Sequence, residues 1–201
     1  MKKILFLYTV ALIFGLVSVA SAVPIDFDVA GESGGSSVSL TNIETWGWTS
    51  ITADLVTGLD NEVFSLNDGE SYTFDVFDIT LSGLGFGKAD FSVTLAFDSP
   101  FGAEATASGT GGWLTVFNIF SGGFLTWDDM SQMIMLNNGD WFDIYFEDLD
   151  ICTYCYGDTF TVAATVTAHT APVPEPSTIL LLGVGLLGLV GYSRKKCNKK
   201  A

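Results

Sequence analysis

The chain is poor in the residues on which many catalytic and nucleic-acid-binding sites depend. Its 201 residues include one His, three Cys, five Pro, and eight Lys or Arg against 23 Asp or Glu. A single His leaves almost no material for histidine-based metal sites or acid–base catalysis. We therefore expect a protein that is not an enzyme.

The few basic residues lie at the two ends of the chain. Lys2 and Lys3 open it, five more lie beyond residue 193, and Lys88 stands between them. Residues 23–173 thus hold 22 acidic side chains and one basic side chain, a net charge of −21. Because such a body repels phosphate backbones, we expect no nucleic acid among its partners.

The first 22 residues have the pattern of a secretory signal peptide. Lys2 and Lys3 precede an apolar stretch at residues 4–17, and Ala20 and Ala22 form the small-residue cleavage motif. The stretch is shorter than the roughly 20 residues that a membrane-spanning helix needs. The sequence therefore predicts cleavage after Ala22 and export of the remaining chain.

The far end combines a proline stalk, an apolar run and a basic terminus. The stalk consists of Val173, Pro174, Glu175, Pro176 and Ser177. Its prolines disfavour a helix, whereas the apolar run after it predicts a transmembrane helix over about residues 178–192. A membrane stop follows, which keeps this end in the cytoplasm and consists of Arg194, Lys195 and Lys196.

This order of segments resembles the PEP-CTERM sorting signal of exported bacterial proteins. The resemblance covers residues 173–201 and rests on the Pro-Glu-Pro stalk, the Gly-rich apolar run and the basic cluster. It implies recognition by an exosortase, a membrane cysteine transpeptidase, in a Gram-negative bacterium that makes extracellular polysaccharide. It implies nothing about residues 23–172, because the signal is attached to unrelated passenger domains.

The body at residues 23–172 is predicted to be all-β. Apolar and polar residues alternate in segments such as 72–76 and 160–167, which is typical of half-buried antiparallel strands. Glycine-rich segments between the predicted strands are interpreted as turns, at residues 83–87, 109–112 and 121–123. The pattern predicts one antiparallel β-sandwich of jelly-roll or immunoglobulin-like type.

Two short motifs match catalytic patterns without their structural contexts. The G-x-S-x-G around Ser33 is followed by a strand-like segment instead of a helix, and it has no upstream His, since His169 follows it by 136 residues. The G-x-G-x-x-G at residues 183–188 lies inside the apolar tail, with no strand before it. We therefore assign no catalytic residue.

Cys152 and Cys155 form a C-x-x-C motif among acidic residues. Acidic neighbours raise a thiol pKa and so disfavour a reactive thiolate. Since an exported chain enters an oxidising compartment, we predict a local disulfide between the two, with thiol redox chemistry as the alternative.

Carboxylates crowd the last third of the body. Asp143, Asp148 and Asp150 are candidates for a Ca²⁺ site, and Ca²⁺ is the one cofactor that the sequence suggests. With Trp127 and Trp141 nearby, the same carboxylates could serve a glycan-binding or glycan-cleaving site. A third interpretation is a solvated strand face above core aromatics, because apolar residues alternate with the acids.

The sequence therefore predicts an exported structural or adhesive protein of the cell surface or of the extracellular matrix of a biofilm. We expect it to be held first in the inner membrane by its tail and then processed by the exosortase, and we expect extracellular polysaccharide among its partners. The alternative is a carbohydrate-binding or glycan-cleaving β-sandwich module.

Intact-mass spectrometry of the protein recovered from its host tests these assignments together. We expect a chain that begins at Val23 because the signal peptidase removes residues 1–22. We also expect a mass lower by two hydrogens than that of the reduced chain, owing to the disulfide. A chain that retains Met1 would contradict the export prediction.

Overall fold

The structure is a computed structural model that describes residues 23–116, 120–129, 131–155 and 159–171, together with Gly183 and Gly185. Residues Val23–Ala171 form a compact unit of their own, which we call the body. The body has its own hydrophobic core. No helix within the described ranges is long and apolar enough to cross a membrane, and the helix predicted at 178–192 lies outside them apart from the two glycines.

Antiparallel β-strands make up the body, as the alternating pattern predicts. Two single turns of 3₁₀ helix, Glu32–Gly34 and Leu59–Asn61, are the helical segments described within it. The described strands are β1 (Ile25–Val29), β2 (Ser37–Leu55), β3 (Val63–Leu66), β4 (Ser71–Ser99), β5 (Ala103–Val116), β6 (Phe120–Trp127), β7 (Ser131–Met135), β8 (Trp141–Phe146), β9 (Leu149–Cys155) and β10 (Thr159–His169).

One continuous sheet contains all of these strands, and β4 is its centre. The order along the sheet is β7-β8-β10-β4-β5-β6-β9, in which β10 and β5 pair with successive parts of the same edge of β4. The strands β2 and β1 pair with the opposite edge of β4, and β3 pairs with β1. The first part of β4 pairs with β10, and its second part pairs with β5. A single long strand therefore carries both halves of the sheet.

The strand β4 folds back on itself. Its 29 residues would extend about 95 Å if straight, far more than the roughly 38 Å diameter expected for a body of this size. The short strand β1 pairs Ile25 with Leu66, just before β4, and Asp28 with Ser99, at its end. Both ends of β4 thus lie at the same end of the body.

Glycines form the bend. Gly83 and Gly85 have φ of +90° and +153°, and Gly47 of the paired β2 has φ of +97°. A Cβ atom on Gly83 would lie 1.8 Å from the carbonyl oxygen of Trp48, so only glycine fits there. Residues 83–87 are therefore the bend within one strand, and the prediction of a turn between two strands was wrong.

The bend brings the two halves of the sheet face to face around an aromatic core. The rings of Phe77 and Phe91, both in β4, lie 6.5 Å apart between centroids. Across the same core, Trp127 of β6 contacts Phe146 of β8 at 5.4 Å. All four side chains are buried, and each buried Phe contributes roughly 1.5–3 kcal/mol to the stability of the body.

The remaining glycine-rich segments lie inside strands, where they make room for aromatic rings. A Cβ on Gly111 would meet the ring of Phe91 at 2.5 Å, and one on Gly112 would meet the ring of Phe124 at 2.8 Å. A Cβ on Gly123 would meet the carbonyl oxygen of Gly112 at 2.4 Å. Residues 109–112 belong to β5 and residues 121–123 to β6. The turns predicted there were wrong, because the glycines serve close packing rather than chain reversal.

A glutamine side chain joins the two halves where no strand pairing does. The amide oxygen of Gln132, in β7, accepts a hydrogen bond from the Thr106 N–H at 3.0 Å, and its amide nitrogen donates to the Thr106 carbonyl. Gln132 thus satisfies both backbone groups of one β5 residue, as a neighbouring strand would.

Substituting glycines separately tests the bend. We expect Gly83→Ala to lower the free energy of unfolding by on the order of 3 kcal/mol or more. The new Cβ would clash with the Trp48 carbonyl oxygen, and alanine would have to adopt the unfavourable positive φ of this position. Gly69→Ala is the matched control, since Gly69 also has a positive φ but no atom within 4 Å of its Cβ position. It should cost about 1 kcal/mol. Equal losses in urea unfolding of the body would contradict the steric explanation.

Candidate functional site: an exposed aromatic face

Four exposed aromatic side chains lie on one face of the sheet next to the bend. They are Trp46 and Trp48 of β2, Phe86 of β4 and Phe124 of β6, and between 47% and 87% of each is exposed. With Leu114 of β5, which is 47% exposed, they form what we call the outer aromatic face. Exposed apolar clusters of this kind mark interaction surfaces.

Strand register places these residues side by side. Trp46 is the partner of Phe86 across the β2–β4 pair, and Phe86 is the partner of Leu114 across the β4–β5 pair. The rings of Trp46 and Phe86 stack with centroids 5.1 Å apart and planes at 17°. Since alternate residues of a strand share a face, Trp48 lies on the same side as Trp46.

The opposite face of β5 is buried. Trp113 of β5 is 5% exposed, and its indole N–H donates to the Thr49 hydroxyl at 3.1 Å. Trp113 therefore belongs to the core, whereas the aromatic residues of the outer aromatic face are in contact with water. This contrast shows that the outer aromatic face is not a continuation of the core.

A groove of about 420 Å³ crosses this face beside Phe124. The groove is lined by Trp113, Leu114, Phe124 and Asp150 together with four glycines, Gly87, Gly112, Gly122 and Gly123. Asp150 of β9 is the cross-strand partner of Phe124, which is in turn the partner of Gly112. The groove thus places one carboxylate beside an exposed ring and above bare backbone.

The single cation of the body lies on this face. Lys88 is the cross-strand partner of Gly112, and its ammonium lies 3.2 Å from the Glu44 carboxylate. Both side chains are more than half exposed, so the ion pair adds little stability. Its main consequence is electrostatic, because the one Lys or Arg at residues 23–173 offsets the charge of the Glu44 carboxylate here.

The tryptophans that the sequence nominated for glycan contact lie elsewhere. Trp127 is 6% exposed and donates its indole N–H to the Glu147 carbonyl at 3.0 Å, so it is a core residue, in agreement with the third interpretation, and is not available to stack on a sugar. Trp141 stacks on His169 with centroids 3.7 Å apart. Trp46 and Trp48 were missed, although Trp-Gly-Trp in an alternating segment already places two indoles on one face.

The three carboxylates suggested for Ca²⁺ have separate surroundings. Asp143 lies 3.2 Å from the His169 imidazole, Asp148 accepts the backbone N–H of Trp127, and Asp150 lines the groove. Within the part of the chain that the structure describes, no group of three His, Cys, Asp or Glu side chains is placed to hold a metal ion.

Several predicted sites fall outside the described residues. They are the cleavage residues Ala20 and Ala22, the sorting residues 173–177 and the membrane stop at 194–196. The backbone of Cys152 and Cys155 belongs to β9, where the five residues 151–155 of β9 oppose the three residues 121–123 of β6, but the two Cys side chains are not described. The disulfide stays a prediction.

Comparison with known proteins identifies the tail. The family model described as the PEP-CTERM protein-sorting motif matches residues 172–195. No curated protein and no solved structure matches the chain. The chain thus carries the sorting signal that its C-terminal residues resemble, and this signal implies export and recognition by an exosortase during membrane-anchored processing.

Selective oxidation of tryptophan tests the outer aromatic face. With N-bromosuccinimide added stepwise to the folded body, we expect Trp48 and Trp46 to be modified before Trp113 and Trp127, because the latter two are 5% and 6% exposed. Peptide mass spectrometry gives the order. Early modification of Trp113 would show that the two faces of β5 are assigned the wrong way round.

Proposed function

We propose that the body is a non-catalytic adhesion or structural module of the cell surface or extracellular matrix, and that its outer aromatic face binds neutral polysaccharide. The outer aromatic face is the observation that supports this proposal. Flat aromatic rings stack on the apolar faces of sugar rings, and the adjacent Asp150, Lys88 and backbone groups supply hydrogen bonds to hydroxyls.

The sorting motif supports the cellular route. In this proposal, a Gram-negative bacterium exports the chain, a signal peptidase removes residues 1–22, and a transmembrane helix at about 178–192 holds the chain in the inner membrane. The exosortase then acts on the tail. For the body itself we propose a β-sandwich of jelly-roll or immunoglobulin-like type, which the two facing halves of the sheet support.

The placement of the face in the body supports a role in display. The described chain leaves the body at Ala171, next to the turn that precedes β4, whereas the outer aromatic face lies at the bend in the middle of β4. About 12 residues of extended strand separate the two, a distance of roughly 40 Å. A body attached through its tail would therefore present the aromatic face away from the attachment point.

Charge determines which polysaccharides are suitable. With 22 acidic side chains and one basic side chain at residues 23–173, the body repels anionic polymers at low salt. The ion pair of Lys88 and Glu44 offsets one carboxylate at the aromatic face, whereas Asp150 adds a negative charge to the groove. We therefore assign neutral rather than anionic polysaccharide as the ligand.

The groove favours binding over glycan cleavage. Glycosidases generally use two carboxyl groups on opposite sides of the bond that they break. Among the residues that line the groove, Asp150 is the one carboxylate. This composition suits recognition of a sugar ring and lacks the second acid of the common hydrolytic mechanism.

Binding of the body to insoluble cellulose, a neutral glucan, and to alginate, an anionic polysaccharide, tests the proposal. We expect binding to cellulose and none to alginate at low salt. Trp46→Ala and Trp48→Ala should each weaken the binding about tenfold, since 1.4 kcal/mol of lost stacking is a factor of ten. Phe101→Ala is the matched control, because Phe101 is exposed but lies at the other end of the body.

Unchanged binding in both Trp variants would exclude the outer aromatic face as the contact. If the two variants instead abolish self-association measured by sedimentation, the face joins copies of the chain and the polysaccharide proposal is wrong. Asp150→Asn should retain most of the binding, and the body should release no soluble sugar from cellulose.

A further inference from the structure

Three turns and both ends of the body meet at the end that lies opposite the bend. Two of these turns are the turn before β4 (residues 67–70) and the β7–β8 turn (136–140), and both are hydrogen-bonded to the last residues of the body. The Thr170 N–H donates to the Asp68 carboxylate at 2.9 Å, and the Ala171 N–H donates to the Asp140 carboxylate at 2.7 Å. The β4–β5 turn (100–102) lies beside the β7–β8 turn across a shallow groove. We call this region the tail end, because the sorting motif begins at residue 172.

The tail end exposes large apolar side chains. Phe101, in the β4–β5 turn, is 95% exposed, and Met135, at the end of β7, is 68% exposed. Neither packs against the core, although Phe is among the residues most often buried in folded proteins. Both border the same groove, so they form one apolar edge.

The covalent chain fixes what lies near this edge. From Ala171 to Ile179, where the apolar run of the tail begins, there are eight Cα–Cα steps, which can span at most about 29 Å. That limit is shorter than the roughly 38 Å diameter of the body. While the tail is anchored, the lipid surface is therefore within reach of the tail end and remains at high effective concentration.

We propose that the tail end is a lipid-contacting surface, on which Phe101 and Met135 insert into the headgroup region of a zwitterionic membrane while the tail is anchored. This inference goes beyond the polysaccharide proposal and is independent of it, since it uses other residues at the other end of the body. It rests on membrane-anchored processing, which the sorting motif implies. Its consequence is an orientation: the outer aromatic face points away from the membrane.

Charge at the tail end selects the lipid. Its turns contain Asp68, Glu70 and Asp140 and no Lys or Arg. Glu70 accepts the backbone N–H of Asn67 at 2.8 Å, and this hydrogen bond holds the pKa of its carboxyl below the usual range. The ionised turn repels anionic headgroups, so phosphatidylcholine is the suitable surface and phosphatidylglycerol is not.

Hydroxyl-radical footprinting of the full chain in phosphatidylcholine vesicles tests the proposal. We expect oxidation of Phe101 and Met135 to fall roughly threefold or more relative to the free body, because insertion to the headgroup level excludes water. Trp48 is the internal reference and should react equally in both samples. In the Phe101→Asp chain, Met135 should regain the oxidation rate that it has in the free body.

Equal oxidation of Phe101 in the anchored chain and the free body would overturn the proposal. Protection that appears only after an exosortase is added would also overturn it, in favour of a protein partner. Phe101→Asp should leave the urea midpoint unchanged, so loss of protection cannot be attributed to unfolding. The Trp46→Ala chain should keep the protection of Phe101, which separates this result from the outcome of the polysaccharide test.

Discussion

The close approach of two backbones at the glycine bend is the constraint on which the rest of the structure depends. At Gly83 and Gly85, β4 turns back against the carbonyl groups of β2, which no residue with a Cβ could allow. This bend stacks the first half of the sheet on the second and so buries Phe77 against Phe91. It also sets the polarity of the body, with the tail end on one side and the outer aromatic face on the other.

The charge of the body explains why the aromatic face is distinctive. With 22 acidic side chains and one basic side chain at residues 23–173, most of the surface is solvated carboxylate, whose repulsion opposes compaction and is screened within about 10 Å at 0.1 M salt. The buried faces of the curled sheet outweigh that repulsion. Lys88, the single basic side chain at residues 23–173, lies beside the exposed rings and offsets the charge of Glu44 there.

The sequence was most informative where one residue type has one physical role. Period-two alternation predicted antiparallel strands such as β10, and the order of stalk, apolar run and basic cluster predicted the sorting signal that the family model matches. The glycines were misinterpreted, because a glycine that reverses the chain and a glycine that makes room for a ring look alike in sequence. Gly111 lies against the ring of Phe91, and that contact depends on the register between strands that are far apart in the sequence.

The candidate site was misplaced for a related reason. Trp127 and Trp46 both occur in alternating segments, and period two shows which residues share a face without showing which face meets the core. That choice is made by packing of the two sheet halves, which buries Trp127 against Phe146 and leaves Trp46 stacked on Phe86 in water. Acid-rich composition drew attention to the last third of the body, whereas the exposed rings lie chiefly in β2 and β4.

Distances between spin labels on the body, introduced as unnatural amino acids at positions 71, 101 and 48, test the doubled-back strand most directly. The account predicts that the labels at positions 71 and 101 lie closer together than either lies to the label at position 48, with all distances within a body of roughly 38 Å diameter plus the label arms. A separation between positions 71 and 101 that approaches the roughly 100 Å of an unbent strand, or that exceeds both distances to position 48, would contradict it.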